Sequence, residues 1–184
     1  DANCSPAGEM ATATTTAAYD DYPALDQFAT SIDVVTSEFE NVPSETMAYL
    51  EKLRPVSPGT MALHIAQHRI REKNFAKQHG ILTPNFWHIN DATSLRQAMA
   101  ELQGRGVLKT CQLGYDGRGQ IWIDPSDDLD ASFAALGSND AILEAAVDFV
   151  AEASFLIART ADNRIAHFPA SQNTHKNGIL NRSV

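Results

Sequence analysis

The spacing of apolar positions changes several times along this chain, and each change marks an element. Leu25, Phe28 and Ile32 fall at i, i+3 and i+7 behind Pro23, which predicts a short helix over residues 23–32. Residues 33–36 form a β-branched run of the kind that reads as a buried parallel strand. Ser44 stands where a cap belongs, before a helix with Met47, Leu50 and Leu53 on one face. Residues 58–80 keep a helical pattern, with Gly80 as its stop. Strand, helix and short turn in alternation predict an α/β arrangement. Residues 83–86 open a strand, and Asp91 caps a helix whose inner face is Leu95, Ala98, Met99 and Leu102. Strands at 106–109 and 121–123 predict a hairpin over 107–123 around a long mobile loop. Residues 127–136 read as helical. Segments 141–147, 149–159 and 165–169 read as strands, with Asn163 in the turn before the last. The Ala- and Thr-rich residues 1–18 fit either a flexible arm or a strand ending near Tyr19. There is no internal repeat.

Composition narrows the function classes. At 184 residues and 20.0 kDa the chain is long enough for one domain, or two small ones, with a real core. Hydrophobic residues at 43% and charged residues at 20% exclude a disordered or collagen-like chain. No run approaches the ~20 apolar residues that span a bilayer, so no membrane partner is expected. Fourteen Lys and Arg against 23 Asp and Glu give a net charge of −9, which repels nucleic acid. A local basic pocket for a phosphorylated small molecule is still compatible with that surface. Two cysteines, Cys4 and Cys111, in unlike contexts make neither a disulfide framework nor a metal cluster. A reducing, cytoplasmic location is therefore expected. Asn3-Cys4-Ser5 and Asn181-Arg182-Ser183 match the glycosylation acceptor pattern, a match this short being common by chance. The chain opens on Asp1, and its last residues follow a strand-like run without a stop signal. It therefore reads as an internal piece of a longer protein.

The candidate chemistry lies in four places. Lys109 closes a strand and is followed by Gly114, Tyr115, Asp116, Gly117, Arg118, Gly119 and Gln120. Three glycines in six residues let backbone N–H groups come close to an anion. A lysine at the strand end adds a point charge for a phosphate. The spacing matches neither the Walker A loop nor the dinucleotide fingerprint, and a plain tight turn needs fewer glycines. Glu38, Glu40 and Asn41 follow the strand at 33–36, at the carboxyl end where open α/β sheets bind ligands. A solvated loop is the plain reading of the same residues. Glu144 and Glu152 bracket a turn between apolar strands, where an unpaired carboxylate is costly. They are ligand contacts or, otherwise, surface residues of an edge strand. His175, in Asn173-Thr174-His175 ahead of Gly178, reads as structural more readily than as functional when taken alone. No Ser–His–Asp arrangement, zinc spacing or CxxC occurs.

Taken in order, these segments resemble the N5-carboxyaminoimidazole ribonucleotide synthetases, the ATPase subunits of phosphoribosylaminoimidazole carboxylation and ATP-grasp enzymes of purine biosynthesis. The resemblance runs from about Tyr19 to Val184. It rests on residues 35–43, on Arg69 with Glu72 and Lys73, and on residues 80–84. It continues through 108–110, 114–120, Glu144, Glu152 with Ser154, Ala158-Arg159 and 173–180. It implies a partial Rossmann-like pre-ATP-grasp domain over residues 1–72 and the first part of an ATP-grasp domain over 73–184. The fold class is then α/β followed by α+β. It implies ATP-dependent carboxylation of aminoimidazole ribonucleotide by bicarbonate through carboxyphosphate, with ADP and phosphate released, in a cytoplasmic homodimer. ATP and Mg2+ are the implied cofactors, with the metal ligands beyond Val184 and none in this chain, which on its own need not be active.

Residue by residue, the resemblance puts Arg69 and Lys109 on the ATP phosphates. Gly114, Tyr115, Asp116, Gly117, Arg118, Gly119 and Gln120 form a flap over the nucleotide. Glu144 and Val147 lie by the adenine, Glu152 on the ribose hydroxyls and His175 in the nucleotide site. Glu38, Tyr115, Asp116 and Arg118 contact aminoimidazole ribonucleotide, and Lys109 and Arg118 carry the catalytic charge. The chain departs from the family at His68, Cys111, Gln112, Ala145-Ala146 and 170–172, none of which is an implied ligand. Another ATP-grasp ligase, formate-dependent glycinamide ribonucleotide transformylase or biotin carboxylase, shares the glycine spacing. A non-catalytic nucleotide-binding module is the rival from another class.

Overall fold

The computed structural model describes residues 6–114, 119–176 and 179–184. The chain divides into two compact units, Asp1–His79 and Gly80–Val184, which together form a mixed α and β architecture.

The first unit is helical among its described residues: α1 (Pro6–Met10), α2 (Tyr22–Thr30), α3 (Ser44–Leu50), α4 (Thr60–Ala66) and α5 (Arg69–Gln78). The Asp21 carboxylate caps α2 by accepting from the Ala24 N–H at 3.1 Å, with Pro23 in the first turn. Ala29, Val35, Met47 and Leu50 are buried together, and Leu25, Phe28, Ile32, Val42 and Leu53 pack against them. The Thr46 hydroxyl donates to the Tyr19 carbonyl at 2.7 Å and ties the approach to α2 onto α3.

Four expectations are corrected here. The run at 33–36 is not a strand. Val35 makes a single parallel bridge to Val56, because only residues 55–57 lie alongside to take its hydrogen bonds. Ser44 is the first residue of α3 rather than its cap. Pro43 holds the cap position without a side-chain bond. The helix expected over 58–80 is two helices. His68 turns extended between them, at φ −138° and ψ 113°, and the side-chain amide of Gln67 leaves the helix to donate to the carbonyls of Glu40 at 2.6 Å and Val42 at 2.5 Å. Residues 6–18 are neither arm nor strand throughout, since α1 occupies Pro6–Met10.

The second unit opens at Gly80, whose φ of +72° ends the preceding helix in the left-handed region glycine tolerates. It contains β1 (Phe86–Ile89), α6 (Ala92–Leu102), β2 (Gly106–Thr110), β3 (Gln120–Ile123), α7 (Leu129–Leu136) and β4 (Ala141–Ala145). Their sheet has the order β1-β4-β2-β3, antiparallel throughout. The first three residues of α6 are held by a capping box between Asp91 and Ser94. Strand side chains alternate between faces. Ile89, Leu108, Ile123, Ala141 and Leu143 thus share one face, where Leu95, Ala98 and Met99 of α6 close the core. Leu129, Phe133 and Leu136 of α7 pack against the same cluster.

The rest of the unit is β5 (Glu152–Ser154), β6 (Ile157–Arg159), β7 (Ile165–His167), β8 (Ser171–Lys176) and β9 (Ile179–Ser183). These make a three-stranded sheet, β5-β8-β9, and a two-stranded one, β6-β7. The strand expected over 149–159 is therefore broken at Phe155-Leu156. The break has a topological cause: β5 pairs with β8, and β6 turns away to pair with β7. The strand expected over 141–147 stops at Ala145: the Ala145 N–H donates to Asn85 at 2.9 Å and the Ala146 N–H to Arg105 at 3.0 Å, the residues just before β1 and β2, where those two neighbouring strands begin. Among the described residues no helix is long and apolar enough to cross a membrane.

Candidate functional site

The face of the four-stranded sheet opposite α6 and α7 carries the first group of expected residues. The registers Val107↔Glu144, Lys109↔Ile142, Lys109↔Gln120 and Val107↔Trp122 place these six side chains on that one face, with Phe86 and His88 of β1. Lys109 Nζ donates to Glu144 Oε2 at 2.8 Å, diagonally across β2 and β4. Their side chains are only 21% and 9% exposed. A carboxylate in the middle of a sheet is costly to bury unless it meets a cation. Glu144 is thus not a surface residue of an edge strand. It lies in a central strand and fixes where the Lys109 ammonium stands. Further along this face, His88 Nε2 lies 2.8 Å from Asp140 Oδ1.

Glycine sets the close packing at both ends of β2. A Cβ at Gly106 would come within 2.7 Å of Leu143 Cδ1 and 3.2 Å of the Glu144 carbonyl oxygen, so only glycine lets β2 lie this close to β4. Gly119 has φ +68°, and a Cβ there would stand 2.8 Å from Thr110 Oγ1. The Thr110 N–H donates to the Gly119 carbonyl at 2.9 Å, and the Thr110 hydroxyl donates to Gln112 O at 2.9 Å. These bonds close the base of the glycine loop directly beyond Lys109. Gly114 is half-buried and Gln120 exposed. Tyr115, Asp116, Gly117 and Arg118 lie outside the described residues.

A second group gathers on the β5-β8-β9 sheet. Glu152 and Asn173 are cross-strand partners, as are Asn173 and Ser183. Asn173 Nδ2 donates to Glu152 Oε1 at 3.0 Å and to Ser154 Oγ at 2.6 Å. The Ser183 hydroxyl donates to Asn173 Oδ1. The ladder shifts register between Thr174 and His175, and His175 Nε2 faces Glu152 Oε1 at 3.6 Å. Glu152 and His175 are therefore together. Val147 is exposed in the stretch joining β4 to β5.

Glu38 and Arg69 belong to the first unit. Glu38 is exposed in the loop after Val35, and Arg69 is half-buried at the first position of α5. Sequence reasoning gave no role to Gln67, which anchors the loop carrying Glu38, nor to Asn173 and Ser183 around Glu152. A lone Gln at a helix end gives no signal. Asn173 was legible as part of a motif, but its partners come from two other strands.

Both parts of the chain match known family models. Residues 74–184 match the ATP-grasp domain, and residues 1–67 match the ribonucleotide synthetase preATP-grasp domain. The N5-carboxyaminoimidazole ribonucleotide synthase of Brucella melitensis is 41% identical over 181 residues, which is 97% of this chain and 50% of that protein. The same enzyme of Pseudomonas aeruginosa is 42% identical over 166 residues, 90% of this chain and 46% of that protein. Among solved structures, an ADP complex of an N5-carboxyaminoimidazole ribonucleotide synthetase has a TM-score of 0.90 at 34% identity, covering 98% of this chain and 48% of that one. The Staphylococcus aureus synthetase with ADP has a TM-score of 0.89 at 31% identity, covering 95% and 47%. The chain thus spans about half the length of the curated relatives it matches. It belongs to the ATP-grasp family, carries a ribonucleotide synthetase pre-ATP-grasp domain, and within that family is similar to the N5-carboxyaminoimidazole ribonucleotide synthases.

Proposed function

We propose that this chain supplies nucleotide-binding parts of an ATP-dependent ligase that carboxylates 5-aminoimidazole ribonucleotide with bicarbonate. The observation that carries the reading is the Lys109–Glu144 pair, set at the end of β2 where the glycine loop begins. A buried carboxylate holding an ammonium at 2.8 Å keeps the cation in one place before ligand arrives. That is the preorganisation a phosphoryl-transfer site needs, because most of its catalysis is positioning and charge stabilisation.

Each candidate residue then has a role in that site. Lys109 and Arg69 meet the ATP phosphates. Residues 114–120 are the glycine loop that this reading assigns to the nucleotide, three glycines suiting a close approach of backbone to phosphate. Glu144 steers Lys109 and, with Val147, lines the adenine. Glu152 accepts from the ribose, with His175 beside it. Arg118 offers a forked pair of donors to the ribonucleotide phosphate, and Glu38, Tyr115 and Asp116 are further candidate contacts to that substrate. A bicarbonate oxygen attacks the γ-phosphorus and ADP leaves. Carboxyphosphate then delivers CO2 or its equivalent to the exocyclic amine of the ribonucleotide, so that the C–N bond forms, the C–O bond to phosphate breaks, and phosphate leaves with the proton the amine loses. Excluding water protects the carboxyphosphate in between.

Magnesium would supply further charge neutralisation in such a site. It demands octahedral oxygen ligands, commonly carboxylates. Glu144, the carboxylate at Lys109, is engaged with that ammonium. The described residues at Lys109 thus do not fit the ion on their own, and no step is drawn through it. The reading also takes residues 1–72 and 73–184 as the two domains, and a cytoplasmic homodimer as the working form. The test is ADP release with each substrate supplied in turn. Release should require both bicarbonate and aminoimidazole ribonucleotide. Release driven instead by formate with glycinamide ribonucleotide, or by biotin, would assign the chain to a different ATP-grasp ligase.

A further inference from the structure

The polar group on the β5-β8-β9 sheet has an internal logic that goes past the role given to Glu152. Asn173 is engaged at both ends of its amide. Its side-chain amide has two donor hydrogens, and they go to Glu152 Oε1 and Ser154 Oγ. Its carbonyl oxygen accepts from the Ser183 hydroxyl. A carboxylate only accepts, so the amide must turn its nitrogen toward Glu152, and Ser183 then meets the oxygen end. With both amide hydrogens and the carbonyl oxygen engaged, the side chain is held in one orientation. It is built to hold a neighbour.

That neighbour is Glu152. Both of its contacts, the Asn173 amide at 3.0 Å and His175 Nε2 at 3.6 Å, fall on Oε1. Among the described residues, Oε2 has no protein partner. The Glu152 side chain is 43% exposed, so this oxygen is within reach of a ligand. One oxygen is fixed and the other is offered.

We propose that Asn173 is a positioning residue for the sugar of the bound nucleotide: by occupying Oε1 it presents Oε2 of Glu152 as the acceptor for one ribose hydroxyl, with Ser183 fixing the orientation of the amide. This rests on the reading of Glu152 as the ribose contact. It makes the site selective for ribonucleotides over deoxyribonucleotides, and it places that selectivity in three residues on three adjacent strands. A freely rotating glutamate would lose rotamer entropy on each binding event. A glutamate held by Asn173 has that loss met when the chain folds.

The experiment measures affinities of the full chain for ATP, 2′-deoxy-ATP and 3′-deoxy-ATP by titration calorimetry. The unaltered protein should bind ATP about tenfold or more tightly than the analogue lacking the contacted hydroxyl, the usual worth of one charge-assisted hydrogen bond. Asn173→Ala and Asn173→Asp should bring that ratio close to one. They should do so by weakening ATP, leaving the deoxy analogue within about twofold. Ser183→Ala should lower the ratio partly, and Ser183→Thr, which keeps the hydroxyl, should restore it. Loss of affinity for ATP and both analogues by one common factor would mean that Asn173 only supports the sheet, and would overturn the inference. Glu152→Gln separates the two levels. If it abolishes discrimination while Asn173→Ala does not, only the positioning role fails. If it leaves discrimination unchanged, the ribose role of Glu152 fails and the inference falls with it.

Discussion

Replacing Lys109 should cost the protein twice, once in stability and once in nucleotide binding, and the two costs can be separated. Lys109 and Glu144 meet at 2.8 Å with side chains 21% and 9% exposed, so the pair is largely out of water. Lys109→Ala removes the cation that neutralises the Glu144 carboxylate in a central strand. Breaking a buried pair by removing one partner costs about 3–5 kcal/mol. The lysine keeps some contact with solvent, so about 3 kcal/mol is the expected loss here. At this chain length each kcal/mol moves the melting temperature by about 2–4 °C, which gives a fall of roughly 6–12 °C. Lys109→Met together with Glu144→Leu removes both charges and fills the space with apolar atoms. Replacing a whole buried pair in this way is often neutral or stabilising, so the double variant should unfold close to the parent. Nucleotide binding should not recover with it, because the ammonium is still absent. The lost phosphate contact is worth about 1.5–3 kcal/mol, or roughly ten- to a hundredfold in affinity. Urea unfolding and calorimetry on the parent, the single and the double variant form the assay. A Lys109→Ala midpoint equal to the parent's, or a double variant as unstable as the single, would refute the pairing argument. Full ATP affinity in the double variant would remove Lys109 from the phosphate site.

Gly119→Ala should destabilise the β2–β3 hairpin by about 1–3 kcal/mol, because it forces a side chain into φ +68° and against Thr110 Oγ1 at 2.8 Å; an unchanged urea midpoint would contradict this. The Ser94 N–H, ahead of the Ser94 side chain, holds the Asp91 carboxyl below its ordinary value at the start of α6. Its contribution is therefore present above the unfolded carboxyl's pKa of about 3.9 and is lost as pH falls through the lower folded value. Asp91→Asn should accordingly be less stable than the parent near neutrality and converge with it in acid; a gap constant from pH 7 to pH 3 would rule out that linkage. Arg118→Ala should raise the KM for aminoimidazole ribonucleotide far more than that for ATP, and Arg118→Lys should restore it only in part, since lysine keeps the charge and loses the fork. Steady-state kinetics with each substrate varied in turn decides this, and a change confined to the ATP KM would place Arg118 in the nucleotide site.

Local chemistry made much of this protein legible in its sequence. Asp91 before Leu95, Ala98, Met99 and Leu102 predicted α6 and its inner face, because capping and the helical period act within a few residues. The strands on either side of the glycine loop were legible for the same reason. Glu144 and Glu152 stood out because carboxylates in apolar runs are costly enough to need a cause, and Lys109 because it ends a strand just before three glycines, whereas His175 taken alone read as structural. The partners that supply the cause were not legible. Lys109 and Glu144 are 35 positions apart, and they meet because β4 enters the sheet between β1 and β2. No periodicity records that strand order. The β-branched run at 33–36 has strand composition but meets only residues 55–57, since a strand exists only where a second backbone takes its hydrogen bonds. The single strand expected over 149–159 became two strands in two sheets by the same rule. Sequence fixed which residues must be buried, capped or paired, because those are demands of single side chains and short stretches. Only the tertiary structure decided which residue answers each demand, because pairing across strands depends on topology that distant segments set together.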